Sequence, residues 1–277
     1  GVGKTSAEMQ RALDLEIKCF NIESEAELLS LAALASASGR VAPISIRVNP
    51  NVDAGTHPYI STGLRENKFG VDVALARQLY QMADEHAALN PVGVDCHIGS
   101  QIEEVAPFVQ SLECLLDLIH DLRTLGIRLH HIDLGGGLGV HYQAETPPSI
   151  HDYAAVLKAR LKDQDLELVL EPGRSIVAEA GALITEVLYL KPTLDKHFAI
   201  VDAAMNDLLR PALYSAWQDI QPVRLRDGES RVWDVVGPIC ETSDFLGKDR
   251  AMVLSPGDLL SIMGAGAYGF GMASNYN

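Results

Sequence analysis

Positive charge and long apolar runs are both scarce in this sequence. Its 277 residues include 22 lysines and arginines against 37 acidic residues, a formal net charge of −15. Nucleic acids and anionic membranes are bound by clustered positive surface, so neither is expected as a partner. No apolar stretch approaches the ~18 residues that a membrane-spanning helix needs. We therefore expect a soluble protein whose partner is a small molecule.

Cysteine and metal-binding patterns are equally sparse. The four cysteines, Cys19, Cys96, Cys114 and Cys240, are far apart, and the nine histidines include no HExxH motif. We expect free thiols in a reducing compartment, hence the cytoplasm, and no metal site. The chain opens without methionine, so we interpret it as a fragment, and any targeting peptide would lie upstream.

A glycine-rich turn follows a short apolar strand in HHIDLGGGLGV, residues 130–140. Glycine lets the backbone approach a group that a side chain would block, most often a phosphate. The dinucleotide-binding fingerprint fails, because glycines at the first and third places from Gly135 are followed by Val140 at the sixth. No Gly-Lys-Ser/Thr follows, which excludes a P-loop. A different phosphate cradle and a merely tight turn are the two alternatives.

Helical and strand patterns alternate up to about residue 175. Helices are expected over 5–15, 24–39, 72–86, 107–126 and 150–164, and strands over 17–23, 41–49, 91–100, 129–137 and 166–174. Such alternation predicts parallel strands with helical crossovers. We interpret residues 1–175 as a partial (β/α)8 TIM-type barrel.

The pattern changes after Arg174. Strand-like runs are expected over 177–192, 197–204, 218–225, 231–238 and 258–269, with one short helix within 206–217. Residues 176–277 are therefore predicted to form an antiparallel β domain, a sandwich or a barrel-like sheet. The fold class is α/β plus all-β.

Unusual polar residues follow three consecutive strands of the predicted barrel. His97 follows one strand, the turn at 135–139 the next, and Glu171 and Arg174 the one after. The carboxyl-end face of a (β/α) barrel holds the active site, and its later loops often bind phosphate. Each residue alone is compatible with a packing or surface role, but their shared location favours a site.

Six stretches in chain order carry a family resemblance: CHIGSQ, HIDLGGGLG, LEPGRSIV, DAAMNDLLRPALY, GPICETSDFLGKDR and GAGAYG. They resemble the pyridoxal-phosphate decarboxylases of the alanine-racemase-like fold, over essentially the whole chain. DAGTHPYISTGLRENKFG and CETSDFLGKDR are more similar to the diaminopimelate branch of that family than to the ornithine and arginine branches. The resemblance implies conversion of meso-diaminopimelate to L-lysine in the parent protein.

Pyridoxal 5′-phosphate is the cofactor that the resemblance implies. The residues assigned to it are His97, Ser100, Gly135, Gly136, Gly137, Glu171, Gly173, Arg174 and Tyr268. The glycine amides would hold the phosphate, and His97 would stack on the pyridine ring. Glu171 would keep the ring nitrogen protonated, so that the ring accepts the electron pair left when carbon dioxide departs.

Substrate recognition follows from what diaminopimelate carries beyond its reacting centre, an ammonium and a carboxylate. The resemblance assigns this distal carboxylate to Arg174, Arg210 and Tyr214, since a guanidinium offers a fork geometry that lysine lacks. Glu241 would bind the distal ammonium, and Tyr268 would also contact the substrate. Without the family, Arg210 and Tyr214 are equally compatible with a packed helical i, i+4 pair.

The two catalytic residues implied are His97 and Cys240. Cys240 would donate a proton to the carbon that loses carbon dioxide, which suits a thiol with a reference pKa near ~8.5. Taken alone, a cysteine ending VVGPIC is more often a packed side chain, and the other three cysteines keep that interpretation.

A homodimer with shared active sites is also implied. In relatives, the counterparts of Cys240 and Glu241 enter the active site of the other subunit, and that of Tyr268 approaches the phosphate likewise. Lys68 and Asp244 match positions that pair across this interface.

The family's cofactor-binding lysine is missing from its usual context, an apolar run followed by Lys-Ala-Asn. The lysines present are Lys4, Lys18, Lys68, Lys158, Lys162, Lys191, Lys196 and Lys248. We attribute the gap to truncation and assign the activity to the parent protein. The alternatives are a decarboxylase of carboxynorspermidine, ornithine or arginine, and a lysine-less homologue that binds a decarboxylase partner. A nicotinamide-dependent dehydrogenase is the least favoured of the four hypotheses.

Overall fold

A computed structural model describes residues 1–55 and 68–277. They form two compact units. The first comprises Gly1–Gly139 and Pro147–Pro172, and the second comprises Val140–Thr146 and Gly173–Asn277. The main part of the second unit thus begins at Gly173, near the boundary expected at residue 176, and the short segment 140–146 also belongs to this unit.

The first unit alternates helices and strands in the predicted order. The helices are α1 Ser6–Asp14, α2 Glu25–Ala37, α3 Val73–Asp84, α4 Ala106–Thr124 and α5 Ile150–Leu161, and the strands are β1 Phe20–Ile22, β2 Ala42–Arg47, β3 Leu89–Asp95, β4 His131–Asp133 and β5 Glu167–Val169. Every neighbouring pair is parallel, in the order β1-β2-β3-β4-β5. Spatial order equal to chain order is what a partial TIM-type barrel requires.

Local chemistry accounts for these helices. Four of them follow a capping side chain that accepts the backbone N–H three residues on, from Thr5, Ser24, Asp72 and Ser149. The apolar face of α4 repeats at spacings of three and four, and its members Leu112, Leu115, Leu118, Ile119 and Leu122 are buried. Burial of these faces against the strands forms the core of the unit.

The second unit is a six-stranded sheet with two short α-helices, one before its first strand and one between its second and third strands. Its elements are α6 Arg174–Val177, a 3-10 turn Ala178–Ala180, β6 Leu183–Pro192, β7 His197–Val201, α7 Arg210–Tyr214, β8 Ile220–Pro222, β9 Arg231–Val236, β10 Phe245–Met252, β11 Leu259–Ile262 and a 3-10 turn Phe270–Met272. The order is β10-β9-β7-β6-β11-β8, and the two edge strands approach each other, so the sheet is nearly closed.

Three details of this unit differ from the sequence expectation. Helix α6 and the following turn occupy the start of the run predicted as a strand over 177–192. Strand β10 was not anticipated, because its glycine and charged residues interrupt the apolar pattern. Strands β7 and β9 pair in parallel, whereas the other pairs are antiparallel.

No helix within the described ranges is long and apolar enough to cross a membrane. The same residues hold no group of three or more side chains suited to a metal ion, and all four thiols are free.

Candidate active site

The ends of β3, β4 and β5 bring four predicted site residues into two contacts within the first unit. The N–H of Gly136 donates to His97 Nδ1 at 3.1 Å, and the N–H of Glu171 donates to the carbonyl of Gly135 at 2.8 Å. Ser100 lies three residues beyond His97 and is partly buried. The polar residues expected at these strand ends therefore lie together.

The glycines of the turn allow close approach between these loops. A Cβ on Gly136 would lie 2.3 Å from the carbonyl oxygen of Glu171, and one on Gly137 would lie 2.4 Å from that of Gly99. Gly135 and Gly137 also have φ values of +65° and +106°, which favour glycine. Any side chain here would force the loops apart.

The turn offers a donor suited to a phosphate. The Gly135 N–H already donates to Asp133 Oδ1 at 2.9 Å, and that of Gly136 is bound to His97. Among the described residues, no acceptor is assigned to the N–H of Gly137. The turn thus fits a phosphate through Gly137, with the neighbouring amides shaping the backbone.

His97 is a neutral imidazole at physiological pH. Its pKa is lowered to about 4, chiefly by burial and also by the charge of Arg47, while the charge of Glu23 opposes both. Because Nδ1 accepts the N–H of Gly136, the ring proton lies on Nε2. An uncharged ring held at one edge is suited to stacking on an aromatic cofactor.

Two buried carboxylates lie beside this cluster and were missed in the sequence. Burial raises the pKa of Asp133 to about 6, the N–H of Gly135 lowers it, and the charge of Glu171 raises it. Burial also raises the pKa of Asp95, and Asp133 adds to that effect while Arg47 opposes it. Both residues end strands, at β3 and β4, so the strand-end argument could have included them.

The second unit brings two predicted arginines together. Gly173 is the N-cap of α6, Arg174 begins that helix and Arg210 begins α7. Each arginine is only 6% exposed. The Arg174 guanidinium lies 4.9 Å from the ring centroid of Tyr268, a residue held at φ +60°.

Arg210 is a buried cation for which the described residues supply no counterion. In the part of the chain that the structure describes, no carboxylate lies within ion-pair distance of it, and its Nη1 has no hydrogen-bond partner. Burial lowers its pKa, with Tyr142 opposing and Arg174 reinforcing that shift. Tyr214 also acts on Arg210 electrostatically, from one helical turn away. An unpaired buried guanidinium is a strong site for an anion.

The predicted thiol lies on an exposed turn after β9. Cys240 is exposed, and Glu241 accepts a hydrogen bond from the hydroxyl of Tyr276. No contact within the described part of this unit joins either residue to Arg210 or Tyr268.

Asp244 holds that turn in place. Its two carboxylate oxygens accept the backbone N–H of Met205 at 2.7 Å and that of Ile239 at 2.8 Å, and the side chain is buried. Lys68 is exposed beside the Phe69 ring. Their pairing across a dimer interface stays a prediction, and most of the DAGTHPYISTGLRENKFG loop lies outside the described residues.

Comparisons with known proteins agree on one family. The pyridoxal-binding domain of pyridoxal-dependent decarboxylases matches residues 1–178. Diaminopimelate decarboxylase of Vibrio cholerae is 59% identical over all of this chain and 67% of its own length, and that of Pseudomonas aeruginosa is 58% identical with the same coverage. The crystal structure of the Helicobacter pylori diaminopimelate decarboxylase with L-lysine superposes with a TM-score of 0.96 at 47% identity, covering all of this chain and 70% of that one.

Proposed function

Because this chain belongs to the diaminopimelate decarboxylase family of pyridoxal-dependent decarboxylases, we propose that the full-length protein converts meso-diaminopimelate to L-lysine and carbon dioxide. The observation that carries the substrate choice is Arg210, a buried guanidinium without a carboxylate partner in the described chain. Diaminopimelate has a second carboxylate, remote from the one that is lost, to pair with it. Ornithine, arginine and carboxynorspermidine lack this group and would leave Arg210 unpaired.

We assign a separate role in cofactor binding to each residue at the ends of β3, β4 and β5. The Gly137 amide donates to the phosphate, and neutral His97 stacks on the ring. Glu171 holds a proton at the ring nitrogen, and its side chain is exposed for that contact. Bound pyridoxal phosphate supplies an electron sink for the pair released with carbon dioxide.

Substrate orientation and protonation are assigned to the second unit. Arg174, Arg210 and Tyr214 bind the distal carboxylate, and Glu241 binds the distal ammonium. Cys240 then donates a proton to the carbon that has lost carbon dioxide. Tyr268 approaches the phosphate and the substrate.

We propose a homodimer in which Cys240 and Glu241 serve the partner's site. A proton donor must reach the reacting carbon, whereas Cys240 is exposed on its own unit and has no described contact with Arg210. Cyclic two-fold assembly would place two such turns in two equivalent sites. We also propose a cytoplasmic location for the protein, because all four thiols are free.

The covalent attachment of the cofactor is assigned to the full-length protein. None of the eight lysines in this chain lies in the Lys-Ala-Asn context, and the chain spans about two thirds of the length of its curated relatives.

Substrate competition tests the proposed reaction. Full-length protein with added pyridoxal phosphate is supplied separately with meso-diaminopimelate, ornithine, arginine and carboxynorspermidine, and carbon dioxide release is measured. We expect kcat/KM for diaminopimelate to exceed the others by about 1000-fold, because a substrate without the distal carboxylate leaves the guanidinium unpaired. Preference for a diamine-forming substrate contradicts the proposal, and no turnover of any of them favours the non-catalytic homologue.

A further inference from the structure

Tyr142 lies in a short segment to which the sequence pattern assigned no function. Residues 140–146 belong to the second unit, although they follow the glycine-rich turn of the first. The carboxylate of Glu145 accepts the backbone N–H groups of Tyr142, Gln143 and Ala144 at 3.0, 2.6 and 3.1 Å. One side chain therefore fixes the backbone from which Tyr142 projects.

The Tyr142 side chain contacts both buried arginines. Its hydroxyl accepts a hydrogen bond from Arg174 Nη1 at 2.8 Å, and its ring centroid lies 4.6 Å from the guanidinium carbon of Arg210. A Cβ on Gly264 would lie 3.0 Å from the ring, so that glycine makes room for the aromatic side chain. The ring therefore lies close to Gly264 as well as to the Arg210 guanidinium.

The two buried guanidinium groups repel each other, and a neighbouring group with partial negative charge reduces the cost of that repulsion. Arg174 lowers the pKa of Arg210 and Tyr142 opposes that effect, although burial is the largest cause of the shift. The hydroxyl oxygen of Tyr142 supplies partial negative charge to the Arg174 guanidinium. Its ring supplies it to the Arg210 guanidinium at 4.6 Å and, from 5.8 Å, to that of Arg174 as well. These contacts of Tyr142 also orient the planar guanidinium groups of Arg174 and Arg210. Their orientation decides whether both guanidinium groups can donate hydrogen bonds to one carboxylate.

We propose that Tyr142 is a positioning residue that orients Arg174 and Arg210 to bind the carboxylate at the non-reacting end of the substrate. This rests on the proposed function, because it assumes that the arginine pair receives that carboxylate. Loss of the Tyr142 hydroxyl should weaken the binding of amino acids that have this carboxylate. It should not change the affinity for diamines of the same length, which lack the carboxylate.

The matched ligands L-lysine and 1,5-diaminopentane test this selectivity, because they differ only in the carboxylate. Both are titrated calorimetrically into full-length holoenzyme carrying Tyr142→Phe, which keeps the ring and removes the hydroxyl. We expect L-lysine to bind about tenfold more weakly, the usual effect of losing a hydrogen bond to a charged group, and 1,5-diaminopentane to change less than twofold. KM for diaminopimelate should rise by a similar factor, with kcat changing less.

The control variant is Tyr189→Phe, whose side chain is 68% exposed on β6, and it should leave both affinities unchanged. A second variant, Tyr142→Leu, also removes the ring and should weaken L-lysine further; thermal unfolding of each variant checks that it is folded. Equal weakening of both ligands, or no change in either, overturns the assignment to Tyr142. If the wild type makes no lysine from diaminopimelate, the proposed reaction fails, yet the two titrations still decide the role of Tyr142.

Discussion

Replacing Arg210 with methionine should stabilise the protein while removing its substrate affinity. Arg210 is 6% exposed, and among the described residues its guanidinium has no carboxylate partner. An unpaired buried charge costs several kcal/mol, and stacking on the Tyr142 ring at 4.6 Å offsets about 1–2 kcal/mol of that. Methionine keeps an apolar stem of similar length without the charge.

The net gain in the free energy of unfolding is about 1–2 kcal/mol. For a protein of this size, that raises the unfolding midpoint by roughly 2–8 °C. The assay is thermal unfolding of the full-length holoenzyme without any amino-acid ligand, followed by the same measurement with saturating L-lysine. L-Lysine should raise the wild-type midpoint and leave that of Arg210→Met unchanged.

Arg226→Met provides the contrasting control. Arg226 Nε donates to both oxygens of Asp258, at 2.7 and 2.8 Å, and Asp258 is buried. Removing this arginine leaves the buried Asp258 carboxylate with the Ser255 N–H but without its ion-pair partner, and should lower the free energy of unfolding. If Arg210→Met is also less stable than the wild type without ligand, Arg210 has a counterion in the folded protein, and the argument for an anion site fails.

Three further predictions concern Asp133, Cys240 and the sharing of active sites between subunits. The pKa of Asp133 is raised to about 6 from an ordinary 3.8, chiefly by burial, so its contribution to stability is present at low pH and lost as pH rises through about 6. Asp133→Asn can still accept the Gly135 N–H and should raise the unfolding midpoint more at pH 8 than at pH 5; a larger gain at pH 5 contradicts this. Cys240→Ala in the full-length protein should slow turnover at least ~100-fold while the cofactor absorbance spectrum stays near normal. Cys114→Ala should leave turnover unchanged. Reassociating equal amounts of Cys240→Ala and Glu171→Gln subunits should restore about a quarter of wild-type activity if the sites are shared, and no restoration contradicts the dimer proposal.

Local patterns predicted most of the first unit. The apolar repeat of α4 and the caps at Thr5 and Ser24 depend on neighbours within a few residues, so they can be identified without knowing the fold. Regular alternation then restricted the strands to a parallel arrangement. Because parallel strands end on the same face, the contact between His97 and the turn at 135–137 was also predictable.

The arginine cluster was predictable only in part. Arg174 and Arg210 were identified from motifs, but nothing local to either one indicates that they are neighbours. Tyr142 was missed because its segment has neither helical nor strand periodicity, and its contacts are with residues 32 and 68 positions away in the chain. Asp133 was missed for a different reason: its raised pKa arises from burial, which a sequence does not state.

Periodicity, helix caps and the positions of glycine therefore specified which elements form and which strand ends carry polar groups, because these depend on short stretches of chain. Folding alone decided that residues 140–146 join the second unit and that β7 and β9 run parallel. It also decided that Arg210 is buried with no carboxylate partner among the residues that the structure describes. Each of these outcomes is set by packing between residues distant in the chain, where burial and charge act together and no short pattern records the result.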